Sequence, residues 1–322
     1  LYIRRNFRYN KTVGTARYAP PGERGTSMNM RIAENWTDYS IVATGDGYKL
    51  ERWKDVYLLR PDPQVLWPAR RDLFSCPGLN AFYRRSEKGG GGWTHLKEMP
   101  AEWTVSYERL GLTFLVKPMG FKHTGLFPEQ AVHWEEMTRL IRAGCAARGK
   151  DASVKVLNLF AYTGAASVAC AKAGAFVTHV DAAKGMVERA GENARLSGVN
   201  SGIRYIVDDC LKFVRREIRR GNKYDAIVMD PPSYGRGPGG EMWKIETDLF
   251  PFVELCAQLL SDDPVFFLIN SYTTGLQPMV LKNILTLALG GRRGSTDAYE
   301  VGIATEEGIP LPCGAGGIFI HD

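Results

Sequence analysis

One short stretch of this sequence and one aspartate after it could together hold a nucleoside. The first is Asn158 to Gly164, which reads as a strand-to-helix turn with a single glycine, Gly164. A dinucleotide-binding loop needs several glycines so that the backbone can approach a pyrophosphate. One glycine suits a nucleoside-like ligand without phosphates, or simply a tight turn. The second is Asp181, seventeen residues after Gly164, where doubly wound folds place an acid that accepts hydrogen bonds from both ribose hydroxyls.

A further aspartate follows each of the next two predicted strands. Asp209 follows the third strand, where its side chain could accept from the exocyclic amine of a purine. Either Asp181 or Asp209, taken alone, could instead cap a helix. Asp230 opens the sequence Asp230-Pro231-Pro232-Ser233-Tyr234. Aspartates that follow successive predicted strands favour one shared ligand-binding site.

The two prolines after Asp230 fix the backbone and remove two N–H donors. The Asp230 carboxylate and nearby carbonyls would then form a rigid row of acceptors for an amino group, with Tyr234 available to stack on a planar base. The alternative is a rigid turn with a capping aspartate. The glycine-rich segment 235–240 suggests a mobile loop that could close over a substrate.

Alternating strands and helices position these groups. Almost wholly apolar strands separated by helical segments indicate an α/β, Rossmann-like parallel sheet covered on both faces. Ligands bind at the carboxyl ends of the strands in such sheets, where the three aspartates stand. We predict strands at 154–160, 176–180, 203–207, 224–229 and 265–269, and helices at 165–173, 185–196, 210–220, 249–260 and 279–289.

The pattern divides the chain into three parts. Residues 1–30 form a basic flexible tail, residues 31–126 a smaller β-rich accessory domain, and residues 127–322 the α/β domain. In the accessory domain, short β-prone runs such as Val65 to Trp67 stand between turn residues. Near Phe127 the pattern becomes helical.

Composition narrows the class of protein. The chain has 322 residues, 44% apolar and 24% charged, with a net charge of +6. This permits a polyanionic partner without requiring one. No apolar run reaches the ~18 residues of a membrane span, and no signal peptide is evident. The six scattered cysteines form no CxxC and the histidines no metal-ligand spacing, so we expect no metal and a cytoplasmic location. Because the sequence begins at Leu1, we expect it to be a fragment.

The order of these motifs resembles that of class I S-adenosylmethionine-dependent methyltransferases, and more closely that of bacterial large-subunit (23S) ribosomal RNA methyltransferases and their uncharacterised relatives. The resemblance covers about residues 45–313. FKHTGLFPEQ (121–130) is similar to the segment that leads into the methyltransferase domain. The other matching stretches are NLFAYTGAASVACAKAGA (158–175), THVDAAKGMVERAGENA (178–194), VDDC (207–210) and YDAIVMDPPSYGRG (224–237).

The resemblance implies S-adenosylmethionine as cofactor and gives each motif a role. Asp181 would bind its ribose, Asp209 would lie near its adenine, and Gln130 would contact it. Asp230, Pro231, Pro232 and Tyr234 would bridge cofactor and substrate as the catalytic group. The turn after the first strand would face the methionine part through Asn158, Phe160, Ala161, Tyr162, Thr163 and Gly164.

One departure from the family bears on the reaction. Relatives that make 5-methylcytosine need a cysteine thiolate after the fifth strand, where this chain has Ile269 to Tyr272, and Ser233 follows the two prolines. Direct in-line transfer to a purine nitrogen in ribosomal RNA is therefore favoured, with a ring nitrogen and an exocyclic amine both open. The basic tail and Gly89 to Gly92 could contact phosphates, and Trp93 or Tyr83 could stack on bases or pack in the core.

Three alternatives stay open. A methyltransferase of the same fold could act on a protein amide or a small molecule. A nicotinamide-dependent oxidoreductase is disfavoured by the missing glycine fingerprint. A catalytically inactive RNA-binding module is disfavoured because the acids at the strand ends are all present.

Overall fold

The computed structural model describes residues 29–86, 90–120, 122–149, 153–236, 240 and 242–322. Most of the predicted basic tail, the first glycine of the run Gly89 to Gly92 and the centre of the segment 235–240 lie outside these residues. The predicted domain boundaries at residues 30 and 126 stay predictions. The first strand, β1 (Met30–Ala33), pairs with the large sheet described below.

The next part of the chain forms a five-stranded accessory sheet in which neighbours in sequence are neighbours in space. Only the pairing of β4 with β5 is parallel. The strand predicted at 65–67 is wrong, because Pro63 and Pro68 flank a connection that cannot form a ladder. The strands are β2 (Tyr39–Gly45), β3 (Tyr48–Trp53), β4 (Val56–Pro61), β5 (Leu79–Arg85) and β6 (Gly91–His95).

A hairpin and a long helix join the accessory sheet to the rest. The hairpin, β7 (Trp103–Tyr107) and β8 (Leu112–Val116), is tied to a later helix: the Leu115 backbone N–H donates to Asn193 Oδ1 at 2.9 Å. A 3-10 turn at Pro128–Gln130 then leads into α1 (Ala131–Arg148), whose buried face confirms the predicted helical pattern.

The remaining elements alternate as predicted, apart from a short hairpin within residues 234–244 and from the last two strands. They are β9 (Lys155–Leu159), α2 (Ala165–Lys172), β10 (Phe176–Asp181), α3 (Lys184–Leu196), β11 (Ile203–Val207), α4 (Cys210–Arg219), β12 (Ala226–Met229), β13 (Tyr234–Arg236), β14 (Met242–Lys244), α5 (Ile245–Ala257), β15 (Phe266–Ser271), α6 (Pro278–Ala288), β16 (Ser295–Ile303) and β17 (Leu311–Ile320).

Eight strands form one sheet in the order β1-β16-β17-β15-β12-β9-β10-β11. Strands β9, β10, β11, β12 and β15 are parallel to one another, as predicted. The first of them, β9, lies between β10 and β12, so the strand order reverses there. A crevice therefore opens at the carboxyl ends of these strands.

Both faces of the sheet are buried, which explains the continuous apolar strands. Along β15, Phe266 and Leu268 pack on the side of α1 and α2, whereas Phe267 and Ile269 pack on the side of α4, α5 and α6. Successive side chains of a strand point to opposite faces, so the apolar run extends over both faces until Asn270 near the end of the strand. The α/β, Rossmann-like class predicted from the sequence is confirmed.

The C-terminal hairpin was not predicted. β17 runs antiparallel to both β15 and β16. Its glycines are there because side chains crowd them: a Cβ on Gly316 would lie 2.5 Å from the Tyr299 ring, and one on Gly317 2.8 Å from Leu281 Cβ. Glycine in a strand marks such close approach, but in sequence it reads as a turn.

Two aromatic residues proposed to stack on bases have different positions. Tyr83 is only 2% exposed, so the core-packing alternative holds for it. Trp93 is half-buried and its indole N–H donates to the Met119 carbonyl at 2.8 Å. Within the described ranges, no helix is both long and apolar enough to cross a membrane.

Candidate active site

The turn after β9 is held in an unusual backbone conformation. Phe160 and Tyr162 adopt φ values of +54° and +48°, and Gly164 adopts +83°. A non-glycine residue in this region costs about 1–3 kcal/mol and persists where surrounding structure enforces it. Here the Ala161 backbone N–H donates to the Val180 carbonyl at 3.1 Å. The turn is thus preformed at the carboxyl end of the central strand.

Gly164 is required by packing as well as by its backbone angle. A Cβ at this position would lie 2.5 Å from Ala190 Cβ on α3. The preceding Thr163 is buried and its hydroxyl donates to the Gly125 carbonyl at 2.7 Å. These contacts fix the turn between α3 and the segment before α1.

Asp181 lies at the end of β10 with both carboxylate oxygens engaged. Oδ2 accepts from the Tyr162 backbone N–H at 2.9 Å, and Oδ1 accepts from the Ala183 N–H at 2.8 Å. The first bond supports the left-handed Tyr162. The second fixes the entry to α3. Lys184 pairs with Glu188 on the exposed face of that helix and lines neither cavity defined below.

Asp209 comes two residues after β11 ends, not at its last residue. It is the N-cap of α4, and its Oδ1 accepts from the Lys212 backbone N–H at 2.8 Å. The capping use that the sequence left open is therefore present. The same side chain still faces the crevice, so capping and ligand binding are compatible.

Asp230 follows β12 and is half-buried. Burial raises the pKa of its carboxyl to about 7, further raised by the nearby Glu129 and opposed by a hydrogen bond from Asn270. That bond runs from Asn270 Nδ2 to Asp230 Oδ1 at 2.9 Å. The other side-chain atom, Asn270 Oδ1, is buried and has no partner within the described part of the chain.

The residues after Asp230 diverge in direction. The Pro232 carbonyl accepts from the Trp243 indole N–H at 2.6 Å, so this acceptor is already used. Tyr234 lies in β13, is 55% exposed and points its hydroxyl at Met242 Sδ. Gly235 and Trp243 form the cross-strand pair that faces the crevice. The structure therefore brings Trp243, not Tyr234, to the site.

Gln130 belongs to a hydrogen-bonded cluster at the start of α1. Its Nε2 donates to the Tyr272 hydroxyl at 2.7 Å, and its Oε1 lies 2.6 Å from His133 Nδ1. Tyr272 also stacks on Phe127, with ring centroids 5.2 Å apart. Sequence reasoning missed Tyr272, Phe127 and Trp243, because only tertiary packing brings these three aromatics to the wall of one cavity.

Two cavities meet at Asp230, and they contain every predicted site residue except Tyr234. The outer cavity is about 490 Å³ and its predicted residues are Phe160, Tyr162, Asp181, Asp209, Asp230, Pro231 and Pro232. The inner cavity is about 60 Å³ and its predicted residues are Gln130, Asn158, Phe160, Ala161, Tyr162, Thr163, Gly164 and Asp230.

Comparison with known proteins identifies the family. A family profile described as S-adenosylmethionine-dependent methyltransferase matches residues 97–243. The crystal structure of the SAM-dependent methyltransferase from Agrobacterium tumefaciens superposes with a TM-score of 0.82 and 31% identity, covering 94% of this chain and 98% of that one. The chain belongs to the S-adenosylmethionine-dependent methyltransferases. A more distant methyltransferase solved with S-adenosylhomocysteine, at 19% identity and a TM-score of 0.67, covers 89% of this chain and 76% of its own, and shows the fold alone.

Curated relatives of this methyltransferase act on RNA by their names. Ribosomal RNA large subunit methyltransferase K/L of Shewanella frigidimarina is 33% identical over 216 residues, 66% of this chain and 27% of that protein. The enzyme of the same name from Allochromatium vinosum is 35% identical over 167 residues, 51% of this chain and 21% of that protein. The chain thus spans about a quarter of the length of these relatives.

The cofactor of the methyltransferase is S-adenosylmethionine, and the residues present fit it. S-adenosylmethionine carries several hydrogen-bond donors, and the cavity walls offer hydrogen-bond acceptors. Carboxylates line the outer cavity, and Asn270, whose Oδ1 has no partner among the described residues, lines the inner one. A buried polar atom without a partner is costly unless a ligand or water satisfies it. In the described ranges, no group of three or more His, Cys, Asp or Glu side chains could hold a metal ion.

Proposed function

We propose that the protein methylates a purine nitrogen in large-subunit ribosomal RNA, using S-adenosylmethionine. The names of the curated relatives support this substrate class. The observation that carries the reaction type is the position of Asp230, whose carboxyl lies where the inner and outer cavities meet. An ionised carboxylate there accepts hydrogen bonds from an amino group with strength and direction.

The cofactor contacts of the proposal follow the cavity walls. Asp181 accepts hydrogen bonds from the ribose hydroxyls, and Asp209 uses the oxygen not engaged in capping for the adenine amine. The methionine part lies against Asn158 and the turn from Phe160 to Gly164, near Gln130. Phe160 packs against Trp243 with ring centroids 5.4 Å apart, which makes this wall rigid.

The proposed reaction is a direct in-line displacement. When bound, S-adenosylmethionine supplies an electrophilic methyl group on a sulfonium. The protein holds the nitrogen in line with that methyl, and such positioning contributes up to ~7–11 kcal/mol in favourable systems. Asp230 orients the base through its carboxylate, which predominates above its pKa of about 7. Asn270 holds Asp230 in place.

Nearby thiols and hydroxyls do not offer a covalent route. Cys210 lines the outer cavity, but its Sγ accepts from the Phe160 backbone N–H at 3.3 Å, and burial raises the pKa of its thiol well above the ordinary range. Ser233 Oγ lies 2.7 Å from Thr273 Oγ1, with no base beside it among its described contacts. Nitrogen methylation needs neither group, since the nucleophile is on the substrate.

The proposal assigns RNA contacts to the accessory part, residues 31–126. Arg84 lies at the end of β5, with its guanidinium 5.2 Å from the ring of Phe82 and 5.8 Å from that of Phe74. Phe74 is 37% exposed, so an aromatic surface with a cation beside it faces solvent. Such surfaces suit unpaired bases.

All six cysteines are free, in keeping with the expected cytoplasmic location.

A labelling experiment tests the substrate class. The protein is incubated with methyl-labelled S-adenosylmethionine and deproteinised large-subunit ribosomal RNA from cells that lack it. We expect label in a methylated purine nucleoside after digestion, and none with the Asp230→Ala variant. Label in protein alone, or in a cytosine C5 position, would contradict the proposal.

A further inference from the structure

A third cavity, lined by charged residues, adjoins the outer cavity of the candidate active site. This lateral cavity is about 220 Å³ and lies between strands β3 and β4 of the accessory sheet, the segment 122–129 and the residues after β15. His123, Phe127 and Tyr272 line both the lateral and the outer cavity, so the two spaces share a wall. The charged and hydroxyl-bearing residues of its lining are Lys49, Arg60, Asp62, Lys122, Glu129, Tyr272 and Thr274.

Two of the three cations in this cavity already have carboxylate partners. The Arg60 guanidinium donates twice to the fully buried Glu51, at 2.5 and 2.6 Å. The Lys49 ammonium lies 3.1 Å from an Asp62 carboxylate oxygen. Lys49, Arg60 and Asp62 line the cavity, so these ion pairs form one of its walls.

Lys122 is different. Its ammonium donates to the Pro61 carbonyl at 3.3 Å, and no carboxylate of the described residues lies within 4 Å of it. Its side chain is half-buried. A half-buried cation without a counter-ion, at the edge of a cavity, is ready to receive an anion.

The electrostatic environment of Lys122 and His123 is positive. Burial, together with Lys49, Arg60 and Arg85, lowers the pKa of Lys122 to about 8, against the opposing effect of Asp62. Burial and three cations also lower the pKa of His123 to about 4. Facing Lys122 are thus Lys49 on β3, Arg60 and Asp62 on and after β4, and Arg85 on β5.

One more acid, Glu129, stands across the cavity. Burial raises its pKa, and Lys49 and Arg60 act in the opposite direction. A bound anion would relieve the repulsion among the cations.

We propose that the lateral cavity binds a backbone phosphodiester of the RNA strand next to the target nucleotide, with Lys122 as its cationic contact. The inference rests on the proposed function, because it assumes an RNA substrate. A nucleotide placed with its base at Asp230 in the outer cavity would direct its adjoining backbone past Tyr272 and His123 towards Lys122. The Arg85 end of β5 would continue the positive track away from the site.

Salt dependence of RNA binding tests the contact. Deproteinised large-subunit ribosomal RNA is titrated at pH 7 from about 50 to about 300 mM salt with wild type, Lys122→Gln, Lys122→Arg and the control Lys223→Gln. Lys223 also donates to one backbone carbonyl, that of Gln258 at 2.7 Å, but lies before β12, opposite the carboxyl ends of the strands. Losing one single-strand phosphate contact reduces the slope of log K against log salt by about 0.7.

We expect that reduction for Lys122→Gln, with a raised KM for RNA and unchanged affinity for S-adenosylhomocysteine. Lys122→Arg and Lys223→Gln should keep the wild-type slope. Wild-type affinity should fall as pH rises through about 8, where Lys122 loses its charge, whereas Lys122→Arg should not show this fall.

The outcomes separate the two proposals. Methylation of RNA by wild type, combined with an unchanged slope in Lys122→Gln, overturns the phosphate site and leaves the proposed function standing. Weakened S-adenosylhomocysteine binding in Lys122→Gln also overturns it, because Lys122 would then act through the cofactor site. Absence of RNA binding and methylation in wild type overturns both.

Discussion

Replacing Asp181 by alanine should weaken cofactor binding about 150-fold. The Asp181 carboxylate offers about four acceptor positions, and two are occupied by the N–H groups of Tyr162 and Ala183 at 2.9 and 2.8 Å. Two positions therefore stay available for the ribose hydroxyls. Hydrogen bonds to a charged acceptor contribute roughly 1.5–3 kcal/mol each, so losing both costs about 3 kcal/mol at the lower bound, which is about 150-fold in Kd.

The same substitution also removes support from the turn, and a second variant separates the two effects. Asp181→Asn keeps one acceptor oxygen and should weaken binding only about tenfold, the equivalent of one lost hydrogen bond. The matched control is Asp72→Ala in the accessory part. Asp72 likewise accepts from a nearby backbone N–H, that of Phe74 at 2.9 Å, but lies far from the crevice in sequence and lines neither cavity of the site.

Isothermal titration with S-adenosylhomocysteine measures these affinities, and a thermal melt shows whether each variant is folded. We expect the order wild type and Asp72→Ala, then Asp181→Asn, then Asp181→Ala. A folded Asp181→Ala protein that binds within about threefold of wild type would refute the assignment of the ribose to this carboxylate.

Three more predictions concern Asp230, Gly164 and Glu51. Because burial raises the Asp230 pKa to about 7, the folded protein holds a proton that the unfolded chain loses near pH 4, and stability falls as pH rises between these values. The Asp230→Asn protein should therefore melt at a higher temperature than wild type at pH 8. Its methyl transfer, measured with labelled cofactor, should fall at least about tenfold and should no longer rise through pH 7. Gly164→Ala forces a Cβ to within 2.5 Å of Ala190 Cβ and should lower the free energy of urea unfolding by about 1–3 kcal/mol. The control Gly191→Ala in α3, where the space around the glycine is open, should raise that free energy by about 0.5–1 kcal/mol. A stabilising Gly164→Ala together with a destabilising Gly191→Ala would contradict the packing argument. Glu51→Ala should destabilise by about 3–5 kcal/mol in the same measurement because it leaves the Arg60 guanidinium buried without its partner, and a loss below about 1 kcal/mol would show that the pair is not effectively buried.

The sequence predicted the α/β core well because two independent signals agree there. Apolar runs without alternation occur only where both faces of a strand are covered, and the aspartates mark the carboxyl ends of the same strands. The predicted turn at Asn158 to Gly164 and the acids Asp181, Asp209 and Asp230 consequently all face the two cavities. The roles of these residues in binding stay predictions.

The site residues that sequence reasoning missed have a common physical reason. Tyr234 was expected to stack on the base because it follows Asp230 closely, but its side chain is 55% exposed and its hydroxyl lies against Met242 Sδ on the paired strand. Its neighbour Gly235 faces the cavity and leaves room for Trp243 on the paired strand β14. Only the pairing of two strands across a loop places Trp243 there, and no local pattern encodes that pairing.

The position of β17 has a consequence for the order of folding. Within the eight-stranded sheet, β17 is the only described strand that links β16 and β1 to β15. Both β15 and β16 come earlier in the chain than β17. During synthesis, β1 and β16 must wait for residues 311–320 to leave the ribosome before they can join the sheet. Co-translational completion of the sheet therefore depends on a ten-residue segment made after every residue that lines the inner and outer cavities.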